Sequence, residues 1–297
     1  MYYYKLYGMK VESDLEFPQL PICKDDESVD VQILKAEFSE EVAEKAKEKY
    51  YDFGREYSRF SNQTCQFQVY QGKKLTYALT GEGWPQYLQT YILGYGVSMI
   101  ALQRDMLPIH CSALADEKGA ILIAGESGSG KSTITTAFLN QGYRLMADDM
   151  ALVDGENVYP AFPYQKLCRN VALEEGYKLE ELIYINEEKD KFLAPYRGEF
   201  STAGERMKGF ILLKVVNGEK VVDGQISCLN SFHVFASNLF VRHIIGKEKY
   251  EPHIGQKCLQ MASKVPVYLI GRPSGLDTTQ EVVKKATEWV AGLADKN

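Results

Sequence analysis

Alternating, β-branched and aromatic runs dominate the N-terminal part of the chain. Tyr2–Met9, Val29–Leu34, Gln66–Tyr70 and Leu75–Thr80 read as strands, and Gln71-Gly72-Lys73 as a hairpin turn between the last two. Phe38–Tyr50 is charged and reads as a helix. Gly83–Gln103 then carries no charge and is about as long as a membrane span. Pro85, Gln86, Gln89, Thr90, Gly94, Gly96 and Ser98 interrupt it. It is therefore expected to be a helix buried inside the protein, ending near Arg104.

The pattern changes beyond that helix. Pro108–Leu114 reads as a strand, Asp116-Glu117-Lys118-Gly119 as a turn, and Gly119–Ala124 as a short buried strand. Ile134–Gln141 has helical character, with Gly142 as its C-terminal cap, and Tyr143–Asp149 is the next strand. Together these make a βαβ unit. Phe210–Val216 is a further strand, Gly218-Glu219-Lys220 a turn, and Val221-Val222 the start of another strand. Ser231–Val241 reads as a helix and Val265–Ile270 as a short apolar strand. In the last helix, Thr278-x-x-Glu281 has the form of a capping box. Val282, Val283, Ala286, Trp289, Val290 and Leu293 recur behind it at helical spacing. No repeat or low-complexity tract appears. The expected division is a β-rich region with its apolar helix over 1–104 and a catalytic α/β domain over 105–297.

Composition narrows the function classes. The 297 residues are 45% hydrophobic and 25% charged, ordinary for a globular chain. A net charge of −6 with no basic tract argues against a nucleic-acid partner. Cys23, Cys65, Cys111, Cys168, Cys228 and Cys258 are scattered, with no ligand spacing, which fits reduced thiols in the cytoplasm. No basic region followed by an apolar core opens the chain, so neither export nor a membrane partner is expected.

Gly125-Glu126-Ser127-Gly128-Ser129-Gly130-Lys131-Ser132-Thr133 matches G-x-x-x-x-G-K-[ST], the phosphate-binding P-loop. Its glycines let backbone N–H groups turn toward phosphate oxygens, and the following helix adds the positive end of its dipole. Lys131 is expected to reach the β- and γ-phosphates of ATP, and the Ser132 hydroxyl to hold Mg²⁺. The run has the setting this motif needs, a strand before it and a helix after.

Asp148-Asp149 ends the strand after that helix, the end at which open α/β sheets bind ligands. One carboxylate is expected to hold Mg²⁺ and the other to accept the proton of an attacking hydroxyl. His110 precedes a strand of small residues and is placed to stabilise phosphate charge or tune an acid. Lys191 and Arg197 lie in a loop-like stretch and could neutralise charge on a transferring phosphoryl group, with Arg169 and Arg206 as weaker candidates. His233, His243 and His253 read as structural.

Three pieces in order carry a resemblance to the HPr kinase/phosphorylase family. They are His110 ahead of a strand, Gly-Glu-Ser-Gly-Ser-Gly-Lys-Ser at 125–132, and Gly142-Tyr143-Arg144-Leu145-Met146-Ala147-Asp148-Asp149. The β-rich start leading through an apolar helix to Pro-x-His is similar to divergent HPr-kinase-related proteins, some of which modify peptides. The resemblance implies a P-loop core related to phosphoenolpyruvate carboxykinase, use of ATP and Mg²⁺, and phosphorylation of a serine hydroxyl. It also favours a homo-oligomer. By carry-over, Lys131 and Ser132 serve phosphate and metal, Asp148 and Asp149 supply a metal-side acid and a base, and His110 joins them. Asp149 is favoured as base, although the residues alone do not separate the two acids. Tyr159–Leu167 stands where the family has its later E-I-R-G-h-G signature, so neither the phosphorylase activity nor HPr as substrate is carried over. The expected activity is a kinase acting on a serine or threonine hydroxyl of a peptide or small protein. The alternatives are a kinase of a small hydroxylated metabolite, such as free serine or a sugar, and a non-catalytic ATP-dependent regulatory module.

Overall fold

The computed structural model describes residues 1–24, 28–39, 41–44, 51–81, 83–126, 128–186, 190–242 and 252–293. The protein is mixed α/β with several sheets. Its described residues fall into two units made of interleaved segments. The first takes 1–108, 162–196 and 241–242, and the second takes 109–161, 197–240 and 252–293.

The first unit opens with a hairpin of β1 (Tyr2–Leu6) and β2 (Met9–Ser13). Leu6 pairs with Met9, which leaves Tyr7 and Gly8 as a two-residue turn with φ of 52° and 75°. Positive φ at both positions is the turn that matches strand twist, so the single strand expected over Tyr2–Met9 is broken at Gly8. β3 (Val31–Lys35), β4 (Tyr51–Asp52), β5 (Tyr57–Ser61), β6 (Cys65–Tyr70) and β7 (Lys74–Leu79) complete a sheet of order β1-β2-β3-β7-β6-β5-β4. The turn expected at Gln71-Gly72-Lys73 joins β6 to β7. Of the helix expected over Phe38–Tyr50, residues 41–44 are helical, while 40 and 45–50 lie outside the described residues.

Alternation makes one face of this sheet apolar. Val31 and Ile33, Phe67 and Val69, and Leu75 and Tyr77 are buried, each large side chain contributing roughly 1.5–3 kcal/mol. The uncharged stretch runs as a 3-10 turn (Pro85–Tyr87), α1 (Leu88–Tyr91), a π turn (Ile92–Gly96) and α2 (Val97–Gln103), with Arg104 as its C-cap. A Cβ on Gly96 would stand 2.6 Å from Leu75 Cδ1, so glycine lets the π turn lie close on β7. The stretch is buried over Val97–Leu102, as its composition implies. No described helix is long and apolar enough to cross a membrane.

β8 (Leu107–Ile109) carries the chain into the second unit. There β9 (Ser112–Asp116) and β10 (Gly119–Gly125) form a hairpin around Glu117-Lys118. The strand expected over Pro108–Leu114 is interrupted at His110-Cys111, where the His110 N–H leaves the ladder and donates to Asn238 O at 2.7 Å. All seven residues of β10 are buried, as a central strand requires. α3 (Lys131–Leu139) follows, then β11 (Arg144–Ala147). β11 and β10 each pair antiparallel with β9. The two strands joined by α3 are thus parallel, but β9 lies between them, which splits the expected βαβ unit.

β12 (Ala151–Val153) and β13 (Asn157–Tyr159) come next. The chain then returns to the first unit for β14 (Tyr164–Cys168), α4 (Arg169–Glu174), β15 (Ile183–Asn186) and β16 (Lys191–Pro195), a sheet of order β14-β16-β15. Leu167, Ala172, Tyr177 and Ala194 form its small core. The stretch expected as a loop around Lys191 is therefore β16, paired on both sides with Phe192, Leu193 and Ala194 buried.

The second unit closes with β17 (Glu205–Val216), β18 (Val222–Ile226), α5 (Cys228–Ser237), α6 (Pro252–Lys264), β19 (Val267–Pro273) and α7 (Thr279–Leu293). β17 begins earlier than expected, α5 begins and ends earlier than the helix expected over Ser231–Val241, and β19 begins and ends later than expected. β17 runs parallel to both β10 and β19. Val282, Ala286 and Val290 are the buried stripe of α7, and Trp289 stacks on Tyr268 with centroids 5.0 Å apart. The expected capping box does not form around the Thr278 hydroxyl, whose oxygen is buried without a hydrogen-bond partner. Asp277 Oδ1 instead accepts the Thr279 N–H at 3.1 Å.

Candidate functional site

The glycine run leaves the carboxyl end of β10 and enters α3. Gly128 and Gly130 have φ of 80° and 98°, the left-handed region that glycine takes at little cost. A Cβ on Gly125 would fall 2.4 Å from Ser129 Oγ and 2.7 Å from the Leu213 main-chain oxygen, so the loop closes only over glycine there. The Ser129 N–H donates to Glu126 O at 3.0 Å and tightens the turn. No side chain caps α3, whose N-cap is Gly130, leaving the donors of its first turn for a ligand. Lys131 is half-buried, and Ser132 and Thr133 are exposed. Ser127 lies outside the described residues. At the far end, Gly142 N–H bonds Leu139 O at 3.0 Å and Tyr143 N–H bonds Phe138 O at 3.2 Å. This is a Schellman cap, with the Phe138 and Tyr143 rings in edge contact, and Gly142 is the cap expected from the sequence.

Asp148 and Asp149 follow the last residue of β11. β11 runs parallel to β10, so both acids leave the same end of the sheet as the glycine loop. Asp149 has φ 75°, a conformation costly for a residue with a side chain. His110 Nδ1 stands 2.9 Å from the Asp149 main-chain oxygen and 3.7 Å from its Oδ1. Because a carbonyl can only accept, Nδ1 carries the proton in this bond. Ser112 Oγ, buried in β9, donates to Asp148 Oδ1 at 3.0 Å.

Cys111, between His110 and Ser112 in the chain, is fully buried. Burial pushes its thiol up to about 12, Lys131 pulls it down, and Asp148 and Asp149 push it further up. Cys111 and Ser112 carried no motif. Their positions directly after His110, at the entry to the strand that separates β10 from β11, are the signal that could have found them.

Lys191 is half-buried in β16 of the first unit, while Arg197 follows that strand and is exposed. Arg169, also in the first unit, holds Asp190 through Nε at 2.6 Å and Nη2 at 2.9 Å. Arg206 is at the start of β17, beside the Ala120↔Met207 pair, so it stands at the opposite end of the sheet from Gly125. The His233 ring meets that of its neighbour Phe232, and His243 lies outside the described residues. A cation not anticipated from the sequence, Arg272 of β19, donates from Nε to Ser129 O at 3.2 Å and from Nη2 to Gly128 O.

No family model matches the chain, and no curated protein matches it. Among solved structures, the HPr(Ser) kinase/phosphatase from Coxiella burnetii is similar over 63% of this chain and 98% of that one. The identity is 13% and the TM-score 0.30, a distant structural relation.

Proposed function

We propose that the chain is an ATP-dependent kinase that phosphorylates a serine or threonine hydroxyl of a peptide or small protein. The observation that carries this reading is that the glycine loop and the Asp148-Asp149 pair leave the same end of one sheet, with His110 bonded to Asp149. A phosphate loop by itself accounts for nucleotide binding. An acid pair beside it supplies what transfer to a hydroxyl also needs, a metal-side oxygen and a proton acceptor.

The residues fit ATP with Mg²⁺. The loop closes over glycine at Gly125, takes left-handed turns at Gly128 and Gly130, and leaves the first turn of α3 uncapped. Gly125, Ser127, Gly128, Ser129, Gly130, Lys131, Ser132 and Thr133 would line the phosphates. Ser132 and Asp148 would hold Mg²⁺, which needs only one or two protein ligands when phosphate oxygens supply others. When bound, the nucleotide supplies the phosphoryl group and the metal offsets its charge. Asp149 would take the proton from the acceptor hydroxyl, whose oxygen would receive the γ-phosphoryl group while the nucleoside diphosphate departs. His110 fixes the Asp149 main chain, and Ser112 turns the Asp148 carboxylate through one oxygen. Lys131 would hold anionic oxygen. In this reading Arg197 and Lys191 remain candidates for covering the transferring group.

The test is incubation with γ-labelled ATP and an extract of the source organism, followed by mass spectrometry of what is labelled. A labelled peptide or protein that disappears with Lys131→Ala supports the reading. Label only in free amino acids or sugars would move the acceptor to a metabolite, and tight ATP binding without any transfer would leave a regulatory module.

A further inference from the structure

Strand register puts a second cation at the glycine loop. Gly125 of β10 pairs with Leu213 of β17, and Leu213 pairs with Ile270 of β19. The three strands are parallel, so Arg272 stands two residues beyond the level of Gly125, at the end where the loop departs. Its guanidinium donates to the main-chain oxygens of Ser129 and Gly128. Gly130 is its near neighbour: a Cβ built there would meet Arg272 Nε at 3.9 Å.

A peptide unit is planar and trans, so its N–H points away from its C=O. Holding the Ser129 oxygen therefore turns the Gly130 N–H to the opposite side of the loop. Holding the Gly128 oxygen does the same for the Ser129 N–H, which is bonded to Glu126 O. A planar guanidinium can grip two adjacent carbonyls at once, which an ammonium cannot do with the same geometry. The loop itself has little stiffness, with left-handed glycines at 128 and 130.

We infer that Arg272 is a positioning residue for nucleotide binding: it grips the outer carbonyls of the glycine loop, and so steadies the Ser129 turn and presets the Gly130 N–H for phosphate. The inference rests on the reading of this loop as a nucleotide site. Because it acts on the loop and not on the γ-phosphate, Arg272 serves ADP and ATP equally.

Calorimetric titration of the full chain with Mg-ADP and Mg-ATP tests this, using wild type, Arg272→Gln and Arg272→Lys. Unfolding midpoints without nucleotide report on folding, and Arg272→Lys serves if the glutamine variant does not fold. Arg272→Gln should weaken ADP and ATP by the same factor, about tenfold, the scale of one lost hydrogen bond from a charged group. Arg272→Lys should recover part of that loss, and kcat at saturating ATP should hold while KM rises. Unchanged affinities in either folded variant would overturn the inference alone. A loss confined to ATP would also overturn it, since Arg272 would then act on the γ-phosphate. Wild type binding neither nucleotide would overturn both the inference and the reading beneath it.

Discussion

His110 Nδ1 lies 2.9 Å from the main-chain oxygen of Asp149, the residue of the acid pair whose backbone is left-handed. An asparagine at 110 can place an amide N–H where Nδ1 stands, and an alanine cannot. His110→Ala should therefore lower turnover by about a hundredfold through loss of Asp149 alignment, with nucleotide affinity nearly unchanged. His110→Asn should retain more activity than His110→Ala. Steady-state kinetics with parallel nucleotide titrations check both, and equal rates in the two variants would contradict the alignment role.

Ser112 Oγ donates to Asp148 Oδ1 at 3.0 Å. Groups that orient a metal ligand typically alter metal affinity by 10–100-fold. Ser112→Ala should raise the Mg²⁺ concentration needed for half-maximal transfer by about tenfold. Binding of metal-free ATP should stay as in wild type, and Ser112→Thr should restore part of the Mg²⁺ response. A fall in maximal rate with no change in Mg²⁺ dependence would count against Asp148 on the metal side.

Lys208 Nζ stands 2.5 Å from Asp116 Oδ1 at the hairpin end of the second unit. Burial acts on both groups, raising Asp116 and lowering Lys208, but on Asp116 the Lys208 ammonium and the Lys118 N–H prevail and hold it below 3.8. A depressed carboxylate adds stability above its unfolded value, and that stability is lost as pH falls through the folded one. Lys208→Met leaves the carboxylate without its cation and should cost about 2 kcal/mol at neutral pH. The deficit should shrink as pH falls through the depressed folded value, where Asp116 becomes neutral. Urea unfolding of both proteins across pH reads this, and a deficit independent of pH would refute the pairing.

Burial holds the Cys111 thiol at about 12, so it stays protonated at neutral pH. Cys168 is exposed. Timed alkylation at pH 8 with peptide mapping should modify Cys168 first and Cys111 only after unfolding. Labelling of Cys111 at the rate of Cys168 would show that the segment between His110 and Ser112 is open to solvent.

Much of the site could be read from local sequence because its parts are local. Gly142 caps α3 where a glycine after an apolar run signals it, and the glycine run lies between a buried strand and a helix. His110 and Asp149, far apart in sequence, meet through strand order, since β9 lies between β10 and β11. That insertion was not legible, because the chain order of strands does not reveal which ones pair. Lys191 looked loop-like because Asp190 and Pro195 flank a short run, yet cross-strand partners on both sides make β16. Arg272 is 143 residues from Ser129, and no local pattern marks a contact of that range. At Thr278 the box-like spacing was present, but the neighbouring Asp277 carboxylate took the N–H instead.

The most direct test of the central claim compares γ-phosphoryl transfer and ATP binding in wild type, Lys131→Ala and Asp149→Asn. The account predicts transfer to a serine or threonine hydroxyl by wild type and none by either variant, with Asp149→Asn still binding ATP and Lys131→Ala binding it weakly. Transfer by Asp149→Asn at the wild-type rate would contradict its role as proton acceptor, and a wild-type protein that binds no ATP would contradict the account as a whole.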